Sequence, residues 1–299
     1  MTPSTWMIGL GGYTLTSKER HYLHHSPPQG VMLFSRNCHN KLQITALLDD
    51  VRQQTGQTTW AAIDEEGGRV HRMPFAPFNQ RPHAASYGTL FEKHPEKAIQ
   101  TIYDDAYHTG KYLADMGFTH NCAPVLDVFH AQGHSIIGQR ALSHDKDTIV
   151  ALASACVRGF KKSHIEPVGK HFPGHGRANA DSHVAVPTVD KDLATLLQEA
   201  DIFKQVAKQG MQHIMSAHVI YKQVSNDIAT FSPYWLHDVL REKFGFQGNI
   251  WSDDLCMRGA GENIIDALQH AQQSACNILL ICEPEQVAQA YAALPNNNV

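Results

Sequence analysis

Short apolar, β-branched runs alternate along the chain with longer segments in which apolar residues return at helical spacing. The runs are "TWMIGL" (5–10), "GVMLF" (30–34), "TWAAI" (59–63), "THNCAPVLDV" (119–128), "EPVGKHF" (166–172), "QHIMSAHVI" (212–220), "NIWSDD" (249–254) and "NILLIC" (277–282). The helical segments are "KLQITALLDDVRQQTG", "PEKAIQTIYDDAYHTGKYLADMG", "KDTIVALASACVRGFKKSH", "DLATLLQEADIFKQVAKQG", "SPYWLHDVLREKFG" and "NIIDALQHAQQSA". Three polar stretches end on Gly56, Gly117 and Gly210, as helix C-termini prefer. Strand runs in alternation with helices predict an α/β fold, a (β/α)8 barrel forming one domain over 1–299. A doubly wound open sheet has the same alternation and is the alternative. No Pro/Gly/Ser-rich linker divides the chain.

Polar residues cluster where the apolar runs end. "AIDEEGGRVHR", "APVLDV", "GKHFPGHG", "SAHVIY" and "WSDDLCM" each place charged or titratable groups directly after a strand. In a barrel those ends and the loops beyond them carry the chemistry. Five repetitions exceed what a solvated face supplies.

Charge narrows the partners. The chain has 25 Lys+Arg against 29 Asp+Glu, a net −4, with no basic block, which argues against nucleic acid or an anionic membrane. No secretory signal and no apolar run of membrane-span length are apparent. The six cysteines have no Cys-x-x-Cys spacing, which fits buried free thiols in a reducing, cytoplasmic setting. Most of the 20 histidines are scattered singly and read as surface residues.

"KHFPGHGRANADSH" (170–183) is the exception. Metal ligation fits it poorly, because Pro173 and Gly174 prevent the helix that would align His171 with His175. A phosphate cradle fits no better, since a polar loop rather than a helix follows the glycines. Asp181 and His183 suit proton transfer: an aspartate accepting from one imidazole nitrogen raises the basicity of the other. Asp253 at the end of "NIWSDD" can serve as a carboxylate nucleophile, which a glycosidase pairs with a proton donor.

Together, "IDEEGGRVHR", "NCAPVLDV", "GKHFPGHG" followed by "DSH", "SAHVIY" and "WSDDLCM" resemble the motif series of the family 3 glycoside hydrolases. Within that family they are most similar to the β-N-acetylglucosaminidases of bacterial peptidoglycan recycling. The resemblance runs from about residue 8 to about residue 283 and implies a one-domain TIM-type barrel. It implies that Asp253 is the nucleophile, His183 the acid/base and Asp181 the residue polarising it. It also implies that Asp64, Arg72, Arg140, Lys170 and His171 bind sugar. Asp254 is expected to bond loop amides or a neighbouring helix, Glu65 and Glu66 to support the site, and His175 to shape its loop. The expected protein is a cytoplasmic monomer that needs no metal or other cofactor and acts on a small carbohydrate or muropeptide. A metal-dependent barrel hydrolase, a non-catalytic sugar-binding barrel and phosphorolysis by the same site are the rivals.

Overall fold

Residues on both faces of the apolar runs are buried, as parallel strands between an interior and a helical ring require. The computed structural model describes residues 2, 5–56, 59–182 and 185–294. Its barrel strands are β1 (Trp6–Gly9), β2 (Gly30–Leu33), β3 (Trp60–Ile63), β4 (His120–Asn121), β5 (Glu166–Phe172), β7 (His213–Ser216), β9 (Asn249–Asp254) and β10 (Ile278–Ile281). They are parallel and close in sequence order, with β10 beside β1, into a (β/α)8 barrel. Two short strands, β6 (Thr188–Val189) and β8 (Ile220–Tyr221), pair with each other above the barrel strands β5 and β7 that precede them.

The helices are α1 (Ser17–His25), α2 (Lys41–Thr55), α3 (Ala85–Lys93), α4 (Pro95–Met116), α5 (Lys146–Lys162), α6 (Leu193–Ala207), α7 (Ile264–Gln273) and α8 (Pro284–Ala292). Gly56 and Gly117 adopt left-handed backbone where α2 and α4 end. Three helices have no counterpart in the periodicity reading. α1 is mostly polar with only Tyr22 and Leu23 buried among its apolar residues, and α3 and α8 span nine residues each. Two further expectations are corrected. "SPYWLHDVLREKFG" folds as a π-helix over Tyr234–Lys243. "THNCAPVLDV" pairs regularly only at His120–Asn121, because Pro124 has no N–H to give a ladder.

Side-chain alternation divides the apolar residues into two cores. Met7, Met32, Ala62, Cys122, Val168, Met215, Trp251 and Leu280 fill the barrel. Ile8, Val31, Ile63, Ile214, Ile250 and Leu279 face the helices. Gly9 and Gly30 leave room for their neighbours: a Cβ on them would lie 2.0 Å from the Cys282 carbonyl oxygen and 2.4 Å from that of Trp60. Among the described residues, no helix is long and apolar enough to cross a membrane.

The N-terminal end of the barrel is plugged by Trp60, His120, His213 and Trp251. The two histidine rings meet edge-on with centroids 4.7 Å apart, and Trp60 and Trp251 stack at 6.0 Å. Trp251 Nε1 donates to His213 Nδ1 (3.0 Å), so the His213 proton sits on Nε2. Burial, reinforced by His213, pushes His120 down to about 2; burial, reinforced by Lys161, pushes His213 down to about 4. Both are neutral core residues.

Candidate active site

The same alternation, continued by one step, builds the opposite end. Two residues beyond Met32, Ala62, Val168, Trp251 and Leu280 stand Phe34, Asp64, Lys170, Asp253 and Cys282, and all five line one cavity of about 260 Å³. Inward position follows from strand period; polarity follows from what each strand carries at its last inward place.

Lys170 is the centre of the charge network. Its Nζ lies 2.5 Å from Asp64 Oδ1 and 2.7 Å from Glu66 Oε1. Asp64 Oδ2 accepts from Arg72 (2.9 Å), and Arg140 grips both oxygens of Glu66 at 2.8 Å each. Burial alone would raise these carboxylic acids. Lys170 and Arg72 outweigh it at Asp64, holding the carboxyl below its ordinary range, and Arg140 and Lys170 hold Glu66 near 2. Two carboxylates against three cations leave this group at +1.

Asp253 supplies the compensating charge. Its Oδ1 accepts the Asp254 N–H at 2.8 Å. Burial would raise its pKa, but His218, His171, the Asp254 amide and Lys170 together lower it, so it stands ionised on the cavity wall. Asp254 behaves differently. Its Oδ1 accepts the N–H groups of Cys256 (3.0 Å) and Cys282 (3.1 Å), and burial raises its pKa. Both aspartates line the cavity, but they differ in partners: Asp253 Oδ1 takes only its neighbour's amide, whereas Asp254 Oδ1 is taken up by two loop amides.

His171 is fixed from behind by Asp127, whose Oδ2 lies 2.7 Å from Nδ1 while Oδ1 accepts the backbone N–H groups of His171 and His175. Its Nε2 lies 3.4 Å from Arg140 Nη2. His175 is more than a loop-shaping residue: it is buried, lines the cavity and is pushed down to about 4, chiefly by burial. His218 stays behind the wall, with Nδ1 2.9 Å from the Thr230 hydroxyl and Nε2 3.0 Å from the Asp254 carbonyl oxygen. Glu65 lies under the floor, 3.7 Å from Arg81, and burial raises it to about 7.

The structure thus brings together Asp64, Arg72, Arg140, Lys170, His171 and Asp253 around one cavity. Asp181 sits on the loop after β5, its carbonyl accepting the Ala185 N–H. Ser182 lines the cavity, and its carbonyl accepts from Gly259, six residues past Asp253. His183 lies outside the described residues. Sequence reasoning gave no role to Asp127, Phe34 or Arg69. Asp127 had a signal, as a charge ending "NCAPVLD", and Arg69 one as a charge within "IDEEGGRVHR"; Phe34 had only its inward register.

A parallel barrel with a charge-paired, water-accessible cavity at the C-terminal ends of its strands, and an ionised aspartate on the wall, defines a barrel hydrolase of glycosidase type. Comparison with known proteins narrows the class. The model for the glycosyl hydrolase family 3 N-terminal domain matches residues 7–297, and the chain belongs to this family of glycoside hydrolases. It is 36% identical over 298 residues to a β-hexosaminidase of Methylobacillus flagellatus, covering 98% of this chain and 85% of that one. A β-hexosaminidase of Actinobacillus succinogenes is 36% identical at the same two coverages. Among solved structures, NagZ from Neisseria gonorrhoeae in complex with N-trifluoroacetyl-D-glucosamine superposes with a TM-score of 0.90 at 30% identity, over 100% of this chain and 88% of that one.

Proposed function

We propose that the protein is a retaining exo-β-N-acetylglucosaminidase acting on peptidoglycan-derived muropeptides, N-acetylglucosaminyl-1,6-anhydro-N-acetylmuramic acid with or without its peptide. The observation that carries the reading is Asp253: a half-buried carboxylate on the cavity wall, held ionised beside the paired network of Lys170, Asp64 and Glu66. The Asp254 amide tethers Oδ1, which leaves Oδ2 to attack the anomeric carbon. His183, polarised by Asp181, gives its proton to the departing oxygen. It then takes a proton from the water that hydrolyses the glycosyl-aspartate. Asp64 accepts from sugar hydroxyls, and Lys170, Arg72 and Arg140 donate to them. His171, fixed by Asp127 on the same wall, completes the sugar-binding set. The place of action is the cytoplasm, and the enzyme works as a monomer without metal or organic cofactor.

A fluorinated N-acetylglucosaminyl donor, which slows the second step, tests the nucleophile. Mass spectrometry of peptides is expected to find one sugar on Asp253, absent in Asp253→Ala. A label on Asp254, or an inverted product with no label, sinks the assignment. His183→Ala is expected to slow substrates with poor leaving groups far more than activated aryl glycosides.

A further inference from the structure

Three cations on the cavity wall are already matched by carboxylates: Arg72 by Asp64, Arg140 by Glu66, and Lys170 by both. Arg69 differs. It lines the same cavity, its residue is exposed, and among the described residues no carboxylate lies within ion-pair distance of it. It stands where the loop after β3 meets the loop after β4, so it belongs to the mouth rather than the floor.

The guanidinium is also held in place. Nη2 donates to the Ile136 carbonyl and lies 3.4 Å from that of Ser135, and Ile136 itself lines the cavity. The turn that carries Arg69 is rigid. Gly67 and Val70 exchange backbone hydrogen bonds, Gly68 N donates to Arg81 O, and Arg81 is pinned to Asp105 at 2.7 Å. Gly67 and Gly68 have φ of +92° and +59°, and a Cβ on them would lie 2.5 Å from Pro82 O and 2.6 Å from His83 Cβ. A preorganised guanidinium loses little entropy on meeting an anion, and its planar fork matches a carboxylate.

We infer that Arg69 is a specificity residue that binds a carboxylate on the aglycone, outside the N-acetylglucosamine site. The pairing of charges supports this division. Four cations and four acids (Asp64, Glu66, Asp253 and Asp254) line the cavity, and among the described residues Arg69 is the cation with no ion-pair contact to any of those acids, at the exposed edge rather than in the paired floor. A neutral sugar residue enters the floor, and an acidic aglycone remains at the mouth. The inference rests on the hydrolase reading above and deepens it by naming the acid group as a recognition element.

The test uses two aryl N-acetylglucosaminides of matched leaving-group acidity, one carrying a ring carboxylate, with wild type, Arg69→Ala and Arg69→Lys. The quantity read is the ratio of kcat/KM for the carboxylate substrate to that for the neutral one. In Arg69→Ala it is expected to fall about tenfold, mainly through KM. Arg69→Lys restores most of it, and salt at about 0.5 M compresses the wild-type ratio. Equal losses on both substrates would make Arg69 only a latch between two loops and overturn the inference, as would an unchanged ratio. A wild-type enzyme that cleaves neither substrate is a failure of the hydrolase reading instead.

Discussion

The two ends of the barrel both carry buried histidines, and they treat them in opposite ways. At the N-terminal end His120 and His213 pack between Trp60 and Trp251, where burial suppresses their charge. At the C-terminal end His171 is held by the Asp127 carboxylate and set beside Arg140. The first end is an aromatic plug whose polar atoms are minimised. Even so, His120 Nε2 has no hydrogen-bond partner. The second end is a mesh of ions, each buried charge compensated by another. A buried ion is tolerable only with charged partners, whereas a neutral ring costs less to bury and is served by ordinary hydrogen bonds, as His120 Nδ1 has to Thr119 and His213 Nδ1 to Trp251. One end should therefore govern turnover and the other stability.

The largest expected effect sharpens this contrast. Asp253→Ala should lower turnover by about 10³-fold or more, as loss of a reacting group does. The unfolding midpoint should move by only a few degrees, measured on the same preparation. A collapse in stability of similar weight would show that Asp253 is a structural ion.

Trp251→Ala is the counterpart. Removing a fully buried tryptophan should cost about 3–5 kcal/mol by urea unfolding, with turnover per folded molecule nearly kept. Trp251 lies on the same strand as Asp253, so a large loss in kcat would mean the plug also sets the register of the nucleophile.

Lys170→Met strikes where the two roles meet. Asp64 keeps Arg72 and Glu66 keeps Arg140, so the cost should be about 2–3 kcal/mol, less than for a pair left with no partner. Binding of N-acetylglucosamine should weaken at the same time. A variant as stable as wild type would break the view that the ionic end depends on its compensation.

The smallest effect is a pH slope. His213 is held near 4 when folded, below its ordinary value of about 6.5. The unfolded chain takes up that proton as pH falls below about 6.5, so stability present at neutral pH is lost on the way to 4. By pH 4.5 this should amount to about 2 kcal/mol, and His213→Gln should flatten the decline by that amount. Parallel stability–pH curves for the two proteins would show that the plug does not titrate.

Much of the architecture was legible along the chain. "EPVGKHF" and "NIWSDD" coincide with β5 and β9, and the polar run after each marked the working end. What could not be read had specific causes. α1 has too few apolar residues to show a period, and the strand after Phe118 is cut short by a proline. Asp127 was visible as a charge but not as the anchor of His171, because the two are 44 residues apart.

Local pattern determined this much by itself: which residues form strands, which face each side chain takes, and which motif places an aspartate at the last inward position of β9. Those properties depend on near neighbours and a period of two. Pairing and protonation were decided only in three dimensions. Asp64 meets Lys170 across 106 residues and Arg140 meets Glu66 across 74, and burial sets His213 and Glu65 on opposite sides of their ordinary values. Arg69 and Arg72 stand three apart in one motif, yet one is neutralised and the other is not. Charge acts through space and through the medium around it, and closure of the barrel creates both.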